Sequence, residues 1–170
     1  GVMLEPQPRP AAALRQLYAG DDGVVVIEAA VDAERRTRPL YTVECDALPK
    51  WAGGMASFDR GHIAKHDYLI PGVAGNIREL TVQCVPFDEV LAAMPTDRLD
   101  LLQIDAEGAD GYLLSLFPWA SVKPAIVHWE VKNLTRAEQE ATLELLCGHG
   151  YRIARSGTED MLAVLPEARA

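Results

Sequence analysis

The chain has 170 residues, of which 49% are hydrophobic and 24% are charged, a balance typical of one globular domain with a substantial core. Its 25 acidic residues outnumber its 16 basic ones, and the net charge of −9 argues against binding to nucleic acid or to an anionic membrane, since both require a positive surface. The three cysteines form no Cys-x-x-Cys pair, and no apolar run is long enough to cross a membrane. With no secretion signal at the start of the chain, these features predict a cytoplasmic protein with reduced thiols.

The first part of the chain predicts a strand, a helix and a second strand. Residues 2–4 form a short apolar strand that stops at Glu5 and Pro6. A helix follows from Pro10, with apolar residues at helical spacing and Gly20 as its stop. Residues 24–27 are a continuous β-branched run, typical of a buried strand. This order predicts a βαβ unit.

The middle third, residues 32–86, departs from that order. Its pieces at 40–43 and 80–85 alternate between apolar and polar residues, as exposed strands do. We interpret the segment as an inserted hairpin or flap. Insertions of this kind often shape substrate sites, because loops tolerate change while the scaffold stays rigid.

The alternation of strands and helices then resumes. The predicted elements are helix 87–94, strand 100–105, helix 109–117, strand 125–130, helix 135–147 and strands 151–154 and 161–165. Thr135 and Glu138 form a capping-box pattern at the start of the last helix, and Gly148 is its expected stop. The closing strands predict an antiparallel hairpin around residues 156–158. The whole pattern indicates an open α/β sheet formed by one domain over residues 1–170.

Three carboxylates close predicted strands, and ligands of open α/β sheets bind beyond such strand ends. They are Glu5, Asp105 and Glu130, and Glu107 follows Asp105 closely. Glu5 could accept hydrogen bonds from ribose hydroxyls, or it could be an exposed acid before a proline turn. Asp105 and Glu107 could act as a general base, orient a hydroxyl or hold a divalent ion, or they could only stabilise a helix N-terminus.

Other candidate motifs are incomplete. Ser57 lacks the G-x-S-x-G surroundings of a nucleophilic serine. His62 and His66 have the spacing of a zinc-protease pair, but Ile63 stands where the glutamate is needed. A surface pair of histidines is the favoured interpretation.

The segment from Leu99 to Asp110, LDLLQIDAEGAD, resembles the strand and helix start of the FkbM-type methyltransferases, whose members carry runs similar to DLLKIDVEG. Glu5 and Pro6 are similar to that family's EPxP strand end. Further similarities lie at 85–91, at 126–130 and at 150–151, so that the resemblance covers nearly the whole chain.

The resemblance implies a Rossmann-like class I methyltransferase sheet, mostly parallel, with a C-terminal antiparallel hairpin and an inserted flap over 32–86. The family's first strand and glycine-rich cofactor loop have no counterpart in this sequence. We therefore expect the chain to be truncated at its N-terminus, the alternative being a domain that does not bind the cofactor normally.

The implied activity is methyl transfer from S-adenosylmethionine to the hydroxyl of a small molecule, a sugar or a polyketide-like compound. Asp105 and Glu107 would be the catalytic residues, as a base or as ligands of a divalent metal such as Mg²⁺. The cofactor would contact Glu5 and Pro6, together with Ala29 and Ala30. Glu130 and Ser57 would lie on the substrate side.

Two other classes of function stay open at this point. One is a non-catalytic binding or partner domain with a degenerate cofactor site. The other is a metal-dependent hydrolase built on Asp105, Glu107 and Glu130. The sequence leaves the methyl acceptor, the metal requirement and the oligomeric state undetermined.

Overall fold

The computed structural model describes residues 1–45 and 48–166, with the backbone alone at positions 50 and 51. The chain divides into two compact units, an N-terminal unit over Gly1–Thr96 and a C-terminal unit over Asp97–Ala170. That the chain acts as the single domain expected from its sequence stays a prediction. None of the helices within the described residues combines the length and the apolar character that crossing a membrane requires.

The N-terminal unit begins with the expected βαβ arrangement. Strand β1 (Val2–Leu4) is followed by helix α1 (Pro8–Leu17) and strand β2 (Val25–Ile27). The two strands pair in parallel, with Val2 beside Val25. Helix α1 starts two residues earlier than predicted and stops before Gly20, and its first turn tolerates proline because those N–H groups have no partner inside a helix.

A second sheet of the N-terminal unit contains the segment interpreted as a flap. Its strands are β3 (Ala30–Val31), β4 (Arg36–Val43), β5 (Ala56–Ser57) and β6 (Ile77–Val85), in the order β3-β6-β4-β5. Strands β4 and β6 pair antiparallel along their full facing length, as a hairpin requires. Both strands are longer than predicted. That the hairpin is an insertion into the fold stays a prediction.

Between β4 and β6 the chain builds a small core of its own. Helix α2 (Arg60–Ala64) lies in this connection, and helix α3 (Phe87–Ala92) follows β6. The buried apolar side chains of the cluster come from both strands and from the connection: Val43, Ala52, Met55, Ile63, Ile70, Val73 and Ile77. Burial of this surface stabilises the hairpin, since an isolated two-stranded hairpin is marginal in water.

A buried carboxylate holds the base of the same hairpin. The side chain of Asp32 is fully buried, and its Oδ2 accepts hydrogen bonds from Arg36 Nη2 at 2.8 Å and from Arg38 Nη1 at 2.9 Å. The other oxygen, Oδ1, accepts from the backbone N–H of Ala33 at 2.7 Å. The Arg38 guanidinium also lies 4.0 Å from the ring centre of Phe58. The two arginines compensate a charge that burial alone would make unfavourable.

The C-terminal unit forms a mixed sheet with two helices. Its elements are β7 (Leu101–Ile104), α4 (Asp110–Leu116), β8 (Ile126–Glu130), α5 (Arg136–Gly148), β9 (Arg152–Ser156) and β10 (Asp160–Val164). The strand order is β7-β8-β10-β9, with β7 parallel to β8 and the other pairs antiparallel. The predicted closing hairpin is confirmed in β9 and β10.

The start of helix α5 was predicted correctly, but its end was not. The capping box is confirmed, because the Thr135 side chain accepts from Glu138 N–H while the Glu138 carboxylate accepts from Thr135 N–H. The expected stop at Gly148 is wrong, since Gly148 is the last helical residue. Gly150 (φ +92°) takes the left-handed conformation instead, and Tyr151 N–H donates back to Leu146 C=O at 3.1 Å. Glycine adopts that conformation without strain, so the left-handed residue after the helix is Gly150, two residues beyond the expected Gly148.

The α/β class is confirmed, but a single mostly parallel sheet is not. Within the described residues the strands form three sheets, and parallel pairing is limited to β1–β2, β3–β6 and β7–β8. The remaining pairs are antiparallel; for β9 and β10 this follows from their short connection, which can only join antiparallel neighbours.

Two buried aromatic side chains of the C-terminal unit differ in whether their polar group has a hydrogen-bond partner. Trp129 is 0% exposed, and its Nε1–H has no hydrogen-bond partner among the described residues. Tyr151 Oη–H donates to Pro124 C=O at 2.7 Å in a buried contact. We expect Tyr151→Phe to lower the free energy of unfolding by about 1–3 kcal/mol, because it leaves a buried carbonyl unsatisfied. Trp129→Phe should cost no more, although it removes more volume, because it also removes an unsatisfied donor. Urea unfolding of the two variants tests this order; a clearly larger loss for Trp129→Phe would contradict it.

Candidate active site

The carboxyl ends of β7 and β8 bring acidic side chains to one edge of the C-terminal sheet. The parallel register pairs Ile104 with Trp129, so Asp105 and Glu130 are the next residues along the two strands. On the other side of β8, Asp160 pairs with Glu130. The sequence prediction that Asp105 and Glu130 lie close together is consistent with this register, and it follows from parallel strands ending at the same edge.

Glu130 is the buried and anchored member of this group. Its side chain is 7% exposed, and Oε1 forms an ion pair with Lys132 Nζ at 2.7 Å. Oε2 accepts from Asn133 Nδ2 at 2.6 Å. Lys132 also contacts Glu159 at 3.0 Å, and its contacts with these carboxylates raise the pKa of the ammonium above its usual range. These contacts hold the Glu130 carboxylate in a fixed position.

Glu107 lies in the tight turn between β7 and α4. Its φ of +47° is in the left-handed region, which is uncommon for a residue other than glycine, and Gly108 follows at +95°. The Glu107 carboxylate accepts from Asn133 Nδ2 at 3.4 Å, so the Asn133 side chain links it to Glu130. The turn therefore directs the Glu107 side chain back towards the end of β8.

Asp105 is the accessible carboxylate of this group. It lies at the exposed end of β7, and no residue that the structure describes donates a hydrogen bond to its carboxylate. Partial burial raises the pKa of this carboxyl, and the negative charges of Glu130 and Asp160 raise it further, while Lys132 lowers it. A carboxylate with a raised pKa is a stronger base than a free one.

The sequence interpretation missed three residues of this group. Asp110 is buried beside the turn, and Lys132 and Asn133 follow β8 and bind Glu130. The signal for the last two was present, because a lysine and an asparagine directly after a strand that ends in glutamate can fold back onto it. Asp110 was visible only as the acidic start of a helix.

Glu5, in the N-terminal unit, closes β1 as predicted. Its Oε1 accepts from the N–H of Gln7 at 2.7 Å, and no described residue donates to Oε2. Partial burial raises the pKa of the Glu5 carboxyl, partly offset by the Gln7 contact. Gln7 is itself buried, and its side-chain oxygen accepts from Thr42 Oγ1 at 2.7 Å, which ties the turn to β4. Glu5 thus offers one unoccupied carboxylate oxygen from a fixed turn.

The other residues singled out in the sequence are placed as follows. Ala29 is buried and Ala30 begins β3, while Pro6 is half-buried in the turn after β1. Ser57 is buried in β5, and its Oγ accepts from the N–H of Asp59 at 3.3 Å. That contact stabilises the turn into α2. The substrate role of Ser57 stays a prediction.

The histidine pair is close in space and half-buried. The His62 and His66 rings are 5.9 Å apart, and Lys65 Nζ lies 3.2 Å from His62 Nδ1. In the parts of the chain that the structure describes, no three His, Cys, Asp or Glu side chains are arranged to hold a metal ion.

Comparison with known families places the chain among methyltransferases. The family model described as the methyltransferase FkbM domain matches residues 1–153. The chain belongs to this family. The FkbM match includes both the Glu5 turn and the acidic edge around Asp105 and Glu130, and it indicates methyl transfer as the general activity. No curated protein and no solved structure shows a significant match to the chain.

Proposed function

We propose that this FkbM-family chain is an S-adenosylmethionine-dependent methyltransferase that methylates a hydroxyl of a small molecule, such as a sugar or a polyketide-like compound. The observation that carries the proposal is Asp105, an accessible carboxylate with a raised pKa beside the anchored carboxylate of Glu130. Family membership supports methyl transfer in general. The three parallel strand pairs support a Rossmann-like arrangement as part of the same proposal.

The residues around Glu5 fit the polar half of the cofactor. A ribose presents two neighbouring hydroxyl donors, and Glu5 Oε2 is a charged acceptor with no donor among the described residues. We assign Glu5 to the ribose, with Pro6, Ala29 and Ala30 forming the apolar surroundings of the adenine. S-adenosylmethionine, when bound, supplies an electrophilic methyl group on a sulfonium sulfur.

The proposed chemistry of the protein is deprotonation and alignment. Asp105 would accept the proton of the acceptor hydroxyl. The oxygen would then bond to the methyl carbon as the carbon–sulfur bond breaks, and the sulfur would keep the electron pair of that bond in the departing S-adenosylhomocysteine. Glu107 and Glu130 line the acceptor side, where their carboxylates could accept hydrogen bonds from other hydroxyls of the acceptor. Alignment of the reactants supplies much of the rate enhancement, since methyl transfer is an in-line displacement.

A divalent metal has no support in the described residues. Asp105 and Glu107 are carboxylates of the type that Mg²⁺ prefers, but no three His, Cys, Asp or Glu side chains in the described part of the chain are arranged to hold a metal ion. We therefore derive no step through a metal. The proposal includes no nucleic-acid or membrane partner, because a net charge of −9 disfavours binding to anionic surfaces. A cytoplasmic location stays a prediction.

The assignment of Glu5 is tested by binding alone. Glu5→Gln should weaken the binding of S-adenosylhomocysteine to the chain by about 1–3 kcal/mol, because it removes charge-assisted hydrogen bonds to the ribose. Isothermal titration calorimetry measures this directly. Glu28→Gln is the matched control, since Glu28 is a neighbouring surface carboxylate paired with Arg15 at 2.7 Å. Equal affinities for wild type and Glu5→Gln would remove Glu5 from the cofactor site.

The activity itself is tested by release of S-adenosylhomocysteine from S-adenosylmethionine in the presence of a panel of hydroxylated small molecules. Turnover that depends on one acceptor class supports the proposal. Binding of the cofactor without turnover on any acceptor would favour the partner-domain alternative.

A further inference from the structure

One buried carboxylate of the C-terminal unit has no part in the mechanism above. Asp110 is 0% exposed, although it is the first residue of α4 and stands directly after the catalytic turn. Buried aspartates are rare unless their oxygens are bonded, so its partners indicate why it is there.

The two oxygens of Asp110 accept from different elements. Oδ2 accepts from the backbone N–H of Ala106 at 3.4 Å and of Gly108 at 3.3 Å, on both sides of Glu107. Oδ1 accepts from the backbone N–H of Glu130 at 3.4 Å, at the end of β8. One side chain therefore bridges the β7–α4 turn and the neighbouring strand.

An ionised carboxylate is the form that suits this bridge, because both of its oxygens are strong acceptors. An amide replaces one oxygen with an N–H donor, which cannot face a backbone N–H, and the hydroxyl oxygen of a protonated carboxyl is a weaker acceptor. Loss of the charge should therefore weaken the hold on the turn or on the strand end.

We propose that Asp110 is a positioning residue whose ionised carboxylate fixes the turn bearing Glu107 and Asp105 against Glu130. A role of Asp110 in catalysis rests on the proposed function. The hydrogen bonds from Asp110 to the turn and to β8 do not depend on that function. Because the bridge holds Glu107 at φ +47°, releasing it allows the turn to leave that uncommon conformation.

The charges around Asp110 make its ionisation sensitive to pH. Burial raises the pKa of this carboxyl to about 6, and the Glu130 carboxylate acts in the same direction, while the backbone N–H groups of Asp110 itself, Ala106 and Glu130 lower it. The turn adds Asp105 and Glu107, and the end of β8 adds Lys132, which is paired with Glu130. The charged group on the facing part of α5 is Glu138, and its carboxylate is engaged by Thr135.

The test follows backbone amides rather than activity. In ¹⁵N-labelled protein, the amide resonances of Ala106, Gly108 and Glu130 should shift together with one midpoint near pH 6. The common transition should be absent in Asp110→Asn and should persist in Asp105→Asn, which leaves the bridge intact. Separate midpoints for Gly108 and Glu130, or a transition that survives in Asp110→Asn, would overturn the proposal.

A second measurement keeps the proposal testable if Asp110→Asn does not fold. The midpoints of the three amides are then compared in wild type and in Asp105→Asn alone. Loss of the transition in Asp105→Asn would assign the transition to Asp105 and overturn the proposal.

A kinetic test applies where Asp110→Asn folds and turnover is established. The kcat should fall about 10- to 100-fold with the KM for the cofactor unchanged, because the reacting groups are misplaced rather than removed. An unchanged kcat would show that the bridge has no positioning role. Absence of turnover in wild type would count against the proposed function and leave the amide result standing.

Discussion

Asp105→Asn should abolish most of the methyl transfer while leaving the fold intact. The amide cannot accept the proton of the acceptor hydroxyl, so we expect kcat to fall by about 10²- to 10⁴-fold. The measurement is the rate of S-adenosylhomocysteine formation at saturating acceptor. Affinity for S-adenosylhomocysteine should be unchanged, because the proposed ribose contact is made by Glu5.

The same substitution should slightly stabilise the protein at neutral pH. The pKa of Asp105 is raised in the folded chain by burial and by Glu130, so the folded state holds its proton to higher pH than the unfolded state does. Stability from this group is therefore present at low pH and is lost as the pH rises through the raised pKa. Removing the charge should raise the melting temperature at pH 7 rather than lower it. A lost activity combined with a lowered melting temperature would mean that Asp105 is structural.

Asp100→Asn is the matched control for both readouts. Asp100 lies just before the other end of β7 and is exposed, and its carboxylate pairs with Arg98 at 2.8 Å. Activity should stay at the wild-type level, and the melting temperature should change little because exposed pairs contribute little stability. An equal loss of activity in Asp100→Asn would point to a general effect of charge on the sheet.

The largest effect on stability should come from the arginines around Asp32. In the double variant Arg36→Gln, Arg38→Gln, the buried Asp32 carboxylate loses both charged partners, and we expect the free energy of unfolding to fall by about 3–5 kcal/mol. Each single variant should cost less, because the remaining arginine still contacts Oδ2. Urea titration followed by circular dichroism measures the loss, and hydrogen exchange in β4 and β6 locates it in the hairpin.

Adding Asp32→Asn to the double variant distinguishes loss of charge compensation from loss of packing. If the uncompensated charge is the cause, the triple variant should recover a large part of the stability, since the amide carries no charge into the interior. Arg35→Gln is the control, because Arg35 pairs with Glu89 on the surface and should contribute little stability. A triple variant less stable than the double would show that the arginines act mainly by packing over Phe58.

Local sequence patterns predicted some structural features correctly and missed others. The capping box at Thr135 and Glu138 and the parallel pairing around residues 2–4 and 25–27 depend on local patterns, and both were predicted correctly. The end of α5 was missed by one residue and its left-handed glycine by two, because both Gly148 and Gly150 satisfy the local rule and only the backbone path decides between them. The candidate roles of Glu5, Asp105 and Glu130 came from strand ends and from the resemblance to the FkbM family, and they stay predictions.

The sequence by itself determined the α/β class, the order of strands and helices and the family, because these depend on hydrophobic periodicity and on motifs of a few adjacent residues. Only the tertiary structure decided that the strands form three sheets, which oxygens of Glu130 and Asp110 have partners, and which arginines compensate Asp32. Those contacts join residues that are distant in sequence or that lie on opposite sides of a turn. Their energies depend on burial and on distances of a few ångströms, which no local pattern of residues specifies.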